Sequence, residues 1–260
     1  MRGEKAILIA ILALMAIGTA VCLLVPHEPR YARKGLSVWL QSLDKTPLRF
    51  NELSVATNHP AAQALLHMGS AAVPHFVHEL HARDSKLKLK LMELLGKQSI
   101  LRIKLTPAYV RHQRAIQACY ALGPTAKAAI PELTDLLNER RVSPVLLTFS
   151  LAAMGSDALP SMICALTNSN PQVRIYAASA FRKVSFDAEA AVPALVTCLS
   201  DPQDYRVRCE AAMALAHIAK APDVVLPALT RNLDDPDDTV RRFMAMALEQ
   251  FQATTPETKR

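Results

Sequence analysis

The apolar positions of this chain repeat with a period close to 33 residues. Valine followed by arginine opens three segments that lie 34 and 33 residues apart: Val173-Arg174, Val207-Arg208 and Val240-Arg241. Apolar or small side chains stand four, seven, eight and eleven residues after each valine, which is the spacing of one face of an α-helix. Alanine occupies the seventh position in all three segments, so a neighbouring helix can approach closely. The pattern predicts one amphipathic helix per repeat.

A second helical pattern follows in each repeat and opens on an apolar residue and a proline. Proline suits the first turn of a helix, where its missing N–H group is not needed. The openings of five such copies are Val73-Pro74, Ile130-Pro131, Leu159-Pro160, Val192-Pro193 and Leu226-Pro227. Asn or Asp precedes proline in the turns between repeats and is expected to cap the next helix. Each repeat is therefore predicted to be a helical hairpin, which buries its apolar face only by stacking on its neighbours.

In these features the sequence resembles bacterial HEAT-repeat proteins. The resemblance is carried by the Val-Arg openings, by Leu-Gly-Pro at 122–124 and by Ala-Val-Pro-Ala-Leu at 191–195, and it covers residues 57–252. It implies an all-α fold, an α-solenoid (superhelix) of HEAT-like helical hairpins whose second helices line the concave side. It also implies a structural ladder, in which an arginine early in a first helix meets an aspartate in a neighbouring turn. The matching residues are Arg174, Arg208, Arg241, Asp201 and Asp235, with Asn170 in place of one aspartate.

An uncharged apolar segment precedes the repeats. Residues 6–25 begin with Ala6, end with Val25 and contain 20 residues without a charge. A helix of this length spans roughly 30 Å, which matches the hydrocarbon layer of a membrane. We expect a single, uncleaved transmembrane helix; the alternative is a cleaved signal peptide with its cleavage site at 18–20. The short tail before the segment favours a membrane protein whose solenoid is extracytoplasmic, in the periplasm.

The predicted organisation has four parts. Residues 1–25 form the N-terminal tail and the transmembrane signal anchor, and residues 26–56 form a linker and a capping helix around Trp39. Residues 57–252 form the solenoid, and residues 253–260 form a flexible tail. The fit is poorest at residues 86–110, where Lys and Leu alternate as in a strand but the context is helical. This degenerate repeat is predicted to present either a local basic surface or a solvated helix face.

Charge and composition narrow the function classes. Apolar residues make up 51% of the 260 residues, which excludes a disordered chain. The net charge is +7, and residues 26–114 hold most of it, with 14 Lys and Arg against 6 Asp and Glu. Such a surface attracts phosphates or an anionic membrane. Nucleic acid is an unlikely partner, because no reading motif or aromatic platform accompanies the charge.

No recognised catalytic motif occurs in the chain. Phosphate-binding glycine loops and nucleophile elbows are absent. His78 and His81 are one residue too close for a zinc-protease signature, since Ala82 stands where the second histidine is required. His75, His78 and His81 recur every three residues, but exposed polar positions are the better interpretation than a metal site. We predict no enzymatic activity, no cofactor and no metal.

What remains is a surface for a partner. The outward positions of the predicted second helices are expected to bind a protein or peptide, and the candidates are His75, His78, Glu132, Asp135, Ser161, Thr197 and Arg231. The predicted function is a membrane-anchored, non-catalytic scaffold, with no small-molecule substrate. Two alternatives stay open: a bilin-lyase-type HEAT-like protein that assists an enzyme, and a nucleic-acid binder that uses the basic surface.

Overall fold

The computed structural model describes residues 28–44, 59–97, 105–139 and 142–254. Helices dominate these residues, and they are α1 (Leu36–Ser42), α2 (Pro60–Met68), α3 (Val73–Leu80), α4 (Lys86–Lys97), α5 (Ala108–Leu122), α6 (Ile130–Leu136), α7 (Pro144–Ala153), α8 (Leu159–Leu166), α9 (Pro171–Phe181), α10 (Val192–Cys198), α11 (Tyr205–Ile218), α12 (Pro222–Arg231) and α13 (Asp238–Thr254). The prediction of a mostly helical solenoid built from hairpins is confirmed.

The hairpins pair a longer first helix with a shorter second helix. First helices are α2, α5, α7, α9, α11 and α13, and second helices are α3, α6, α8, α10 and α12. From α5 onward, each first helix packs against the first helix of the next repeat. The close packing follows from small side chains, since Ala180, Ala214 and Ala247 at the seventh position are completely buried. Large side chains such as Phe181 and Phe251 fill the space between the layers.

Turn chemistry decides where the first helices begin and end. Gly69 and Gly123 end α2 and α5 with φ of 56° and 54°, a conformation that L side chains rarely adopt. Asn170 caps α9 by accepting a hydrogen bond from the backbone N–H of Gln172 at 3.0 Å. The capping prediction is wrong for Asp201, because α11 begins four residues later and Asp204 is its cap.

One short β-ribbon precedes the helices. Strands β1 (Arg30–Tyr31) and β2 (Lys34–Gly35) pair antiparallel, and no other strand occurs among the described residues. The connecting Ala32 and Arg33 have φ of 48° and 63°, as a tight hairpin turn requires. The Tyr31 ring stacks on His67 of α2 with the ring centroids 4.5 Å apart, so the ribbon packs on the first repeat.

The predicted anchor, residues 6–25, lies outside the described residues. Among the residues that the structure describes, none of the helices combines the length and the apolar character needed to cross a membrane.

Candidate partner-binding surface

Five exposed side chains follow the second helices from one end of the stack to the other. They stand at the same position of each helix, five residues after its opening apolar residue, and we call them the second-helix row: His78, Asp135, Cys164, Thr197 and Arg231. The residues two positions before and two positions after are buried in α3, where they are Phe76 and Leu80. Helical geometry therefore forces the row to face solvent.

The remaining predicted binding residues lie closer to the core. His75, Glu132 and Ser161 occupy the second position of α3, α6 and α8 and are partly buried. The buried Oε2 atom of Glu132 accepts no hydrogen bond from the described residues. A carboxylate oxygen shielded without a partner is unfavourable for the free chain. Of the seven predicted residues, four are thus exposed to solvent and three are partly buried.

The row is mixed in charge rather than uniformly basic. Asp135 and Arg231 carry opposite charges, and the row between them holds the Cys164 thiol and the Thr197 hydroxyl. The Thr197 hydroxyl donates to the carbonyl of Pro193 at 3.1 Å, which leaves its oxygen free to accept. A surface of this kind offers hydrogen bonds and single charges to a partner with both signs of charge.

The predicted ladder arginines lie in the first turns of the first helices α9, α11 and α13, and the ladder aspartates lie in the turns between repeats. Arg174 donates from Nε to Asp201 Oδ2 at 2.6 Å and from Nη2 to Oδ1 at 3.1 Å. Its Nη1 donates to the carbonyl of Asn168 at 2.7 Å. The Arg174 and Asp201 side chains are only 8% and 6% exposed. The contact therefore joins two neighbouring turns and is too deeply buried to receive a partner.

The environment of Asp201 stabilises its charged form. Burial alone would raise its pKa, but hydrogen bonds from Arg174 and from the backbone amides of Asp204 and Gln203 outweigh burial and lower the pKa below its ordinary value. Its carboxylate is therefore held ionised beside the guanidinium.

The ladder continues at the next turn, where Arg208 meets Asp235. Arg208 Nε lies 2.9 Å from Asp235 Oδ2, and Arg208 Nη1 donates to the carbonyl of Asp201 at 2.9 Å. Arg241 donates to the carbonyl of Asp235 at 2.6 Å and pairs with Asp238 on its own helix. The Arg208–Asp235 ion pair ties one repeat to the next, whereas the contacts of Arg241 stay within its own helix and the turn before it.

Sequence reasoning missed a polar cleft at the turn before α9. The cleft has a volume of about 690 Å³ and is lined by Asn138, Asn168, Asn170, Tyr176 and Pro144 among others. Asn168 Nδ2 donates to Asn138 Oδ1 at 3.0 Å, so an amide pair stands where later turns use an ion pair. The prediction that Asn170 takes the place of the ladder aspartate is wrong: Asn168 Oδ1 accepts from the backbone N–H of Asn170, as Asp201 Oδ1 accepts from that of Gln203, whereas Asn170 is the cap of α9.

A second group of ion pairs was also missed. Arg111 pairs with Glu79 through distances of 2.6 and 2.9 Å, and Arg114 pairs with Asp44. Each of these arginines has its charge matched by a carboxylate. These pairs use two of the six carboxylates of residues 26–114, so they fix the position of two positive charges and leave the surplus of positive over negative charges unchanged.

The cysteines differ sharply in accessibility. Burial raises the pKa of the Cys119 thiol to about 12, and of the Cys198 and Cys209 thiols to about 11. Cys164, in the second-helix row, is exposed. Within the described residues, no three His, Cys, Asp or Glu side chains converge as a metal site would need.

Comparisons with known proteins bear on the repeats. The family model for HEAT repeats matches residues 159–249, which run from α8 into α13. This match supports HEAT repeats in the chain. No curated protein sequence matches it.

The fold is similar to several solved structures. Human deoxyhypusine hydroxylase in complex with glycerol has 18% sequence identity and a TM-score of 0.43, and the alignment covers 84% of this chain and 84% of that one. An engineered protein has 19% identity and a TM-score of 0.41, with 84% of this chain and 96% of that one covered. A second engineered protein has 18% identity and a TM-score of 0.41, with coverage of 86% and 66%.

Proposed function

We propose that this chain is a membrane-anchored, non-catalytic scaffold that binds a protein or peptide partner along the second-helix row. The observation that carries the proposal is the row itself: one exposed side chain at the same position in each of five second helices. A solenoid holds such positions at regular intervals on packed helices, so an extended partner meets a preformed surface. The resemblance to HEAT-repeat proteins implies that this surface is concave.

The chemistry of the row favours a polypeptide as the partner. An extended polypeptide carries donors, acceptors and charges of both signs, and the row offers the same mixture between Asp135 and Arg231. A nucleic-acid backbone would instead require a continuous basic stripe. The non-catalytic role rests on the sequence, which carries no recognised catalytic motif.

The membrane anchor in this proposal is the uncharged segment of residues 6–25. Its 20 residues are long enough to cross the hydrocarbon layer, and the proposal places the solenoid in the periplasm.

Site-directed photo-crosslinking tests the proposed surface. The exposed Cys164 of a Cys22→Ser full-length chain accepts a thiol-linked photo-crosslinker, while the buried cysteines do not react. The matched control carries the label at Ser185→Cys, an exposed turn position, in a Cys164→Ser background. Irradiation in the native membrane should join the Cys164 label to one stoichiometric polypeptide and leave the control uncrosslinked. Equal labelling of the same protein from both positions would contradict the proposal.

A triple variant then measures the contribution of the row. His78, Asp135 and Arg231 are changed to alanine, and the partner's affinity for the variant should fall at least tenfold while the helical circular dichroism stays unchanged. The matched control replaces three exposed residues elsewhere, Arg83, Asp157 and Lys183. An affinity that the row variant leaves intact would show that the partner binds another surface.

A further inference from the structure

Helix α4 exposes four of its leucine side chains to solvent. Leu87, Leu89, Leu91 and Leu94 are 77%, 44%, 45% and 65% exposed. They are four of the ten large apolar side chains that are exposed in the described part of the chain. A helix of twelve residues that presents four leucines to water implies a partner for this face.

Three of these leucines form a stripe with lysines along its edge. At about 100° per residue, Leu87, Leu91 and Leu94 fall within about 60° of one another around the helix axis. Lys86 and Lys90 lie beside this stripe and are fully exposed. Leucines bordered by lysines on one helix are typical of helices that lie in the interface of a membrane.

Lys88, between Lys86 and Lys90, is held by hydrogen bonds. Lys88 Nζ donates to Asp84 Oδ1 at 2.6 Å and to the carbonyl of Thr106 at 2.9 Å. These bonds tie the start of α4 to the segment that leads into α5. The helix is therefore fixed to the solenoid while its leucine stripe remains in solvent.

The start of α4 lies close to α1, which holds Glu28, the first residue that the structure describes. Glu28 accepts hydrogen bonds from the backbone N–H of Ser37 at 2.9 Å and from its hydroxyl at 3.2 Å. Ser37 and Lys88 line one cleft of about 350 Å³. Glu28 follows Val25 by three residues, a distance of roughly 10 Å when fully extended.

We propose that α4 is an interfacial helix that lies on an anionic lipid bilayer. Leu87, Leu91 and Leu94 enter the boundary of the acyl chains, and Lys86 and Lys90 contact the lipid phosphates. The inference rests on the proposed membrane anchor, because residues 6–25 would hold this end of the solenoid at the bilayer surface. An anionic bilayer fits both the leucine stripe and the lysines, and the neighbouring anchor brings it within reach.

The test places an environment-sensitive fluorophore on the stripe of the full-length chain. Leu94→Cys is labelled in a Cys22→Ser/Cys164→Ser background and reconstituted into phosphatidylcholine vesicles with or without phosphatidylglycerol. The matched control is Met246→Cys, which is 53% exposed on α13, the last helix of the stack. Flotation with the vesicles measures the anchor separately from the fluorophore.

In vesicles with phosphatidylglycerol, the Leu94→Cys label should shift to the blue and be quenched at least twofold by lipids with brominated acyl chains. The control label should change in neither respect. Lys86→Glu with Lys90→Glu should abolish the dependence on phosphatidylglycerol while the chain still floats.

Four results would overturn the inference. If the chain floats but lipids do not quench the Leu94→Cys label, the membrane anchor is supported and the interfacial helix is refuted. If the label is quenched equally in neutral and anionic vesicles, Lys86 and Lys90 do not contact lipid phosphates as proposed. If polyglutamate shifts the fluorescence of the Leu94→Cys label and vesicles do not, the leucine stripe binds an acidic protein instead of a bilayer. A chain that does not float at all overturns the anchor and this inference together.

Discussion

Replacing Asp201 with asparagine should destabilise the solenoid strongly. The substitution preserves size but removes the negative charge that faces the Arg174 guanidinium across distances of 2.6 and 3.1 Å. Asp201 Oδ1 also accepts hydrogen bonds from the backbone N–H groups of Gln203 at 2.9 Å and Asp204 at 3.0 Å. An amide has one oxygen to serve all these donors, so at least one of them loses its partner.

The magnitude follows from how deeply the pair is buried. With 8% and 6% exposure, the Arg174 charge cannot regain water when Asp201 is neutralised. Breaking a buried ion pair by removing one partner costs about 3–5 kcal/mol. The matched control is Asp157→Asn, whose ion pair with Lys127 is 55% and 66% exposed and should contribute about 0–1 kcal/mol.

A double-mutant cycle separates the pair from the turn. Adding Arg174→Met removes the unpaired charge, so the double variant should recover about 1–3 kcal/mol relative to Asp201→Asn alone. Chemical denaturation followed by circular dichroism gives the free energy of unfolding. Hydrogen exchange in α9 and α11 localises the loss, because repeats interact mainly with their neighbours. If Asp201→Asn lowers the free energy no more than Asp157→Asn does, the ladder does not hold the repeats together.

Three further predictions follow from local features. The pKa of Asp201 is lowered in the folded chain, so the ionised carboxylate stabilises the fold fully above the unfolded pKa of about 3.9. This stabilisation is lost as the pH falls through the lower folded pKa. Acid titration of the free energy of unfolding should show this loss for the native chain and not for Asp201→Asn. In a Cys22→Ser chain, Cys164 should react with thiol reagents at neutral pH, and the other cysteines only after unfolding; a second fast thiol would contradict their burial. Gly69→Ala should cost about 1–3 kcal/mol for its positive φ. Gly123→Ala should cost more, since its Cβ would also lie 3.1 Å from the carbonyl of Ala153; equal melting temperatures for the two variants would refute this.

The helical architecture was predictable because burial on one face leaves a periodic signal. Ala180 and Phe181 recur as Ala214 and Leu215 one repeat later, and all four are completely buried. The prolines that open α8 and α10 mark helix starts for a local reason, the missing N–H group. Both signals lie within a few residues of the structure they specify, so sequence alone is sufficient for them.

The β-ribbon was not predictable in this way. Its turn residues, Ala32 and Arg33, adopt positive φ without being glycine or asparagine, so the sequence carries no turn signal. The conformation is instead supported by contacts from elsewhere in the chain. Trp39 Nε1 donates to the carbonyl of Tyr31 at 3.3 Å, and the Tyr31 ring stacks on His67. Tertiary packing thus overrides the local preference.

The ion pairs near the first repeats show the same limit for the candidate site. Arg114 meets Asp44 across 70 residues of sequence, and Arg111 meets Glu79 across 32. Charge counting over residues 26–114 finds a basic surplus but cannot reveal which charges are already matched. The pairs are set by how α1, α3 and α5 stack, which no local pattern encodes.

The packing of the first helices bears on where a partner can bind. From Ala211 to Ala216 every residue of α11 is buried, because neighbouring first helices close over it on both sides. Second helices are shorter and leave several positions in solvent, among them the second-helix row, as at Cys164 and Thr197. Helix α4 leaves leucines in solvent instead, next to unpaired lysines. The two surfaces differ in chemistry, since one suits polar contacts and the other suits burial in an apolar phase. Two partners of different kinds, a polypeptide and a bilayer, therefore fit the chain better than one partner that spans both surfaces.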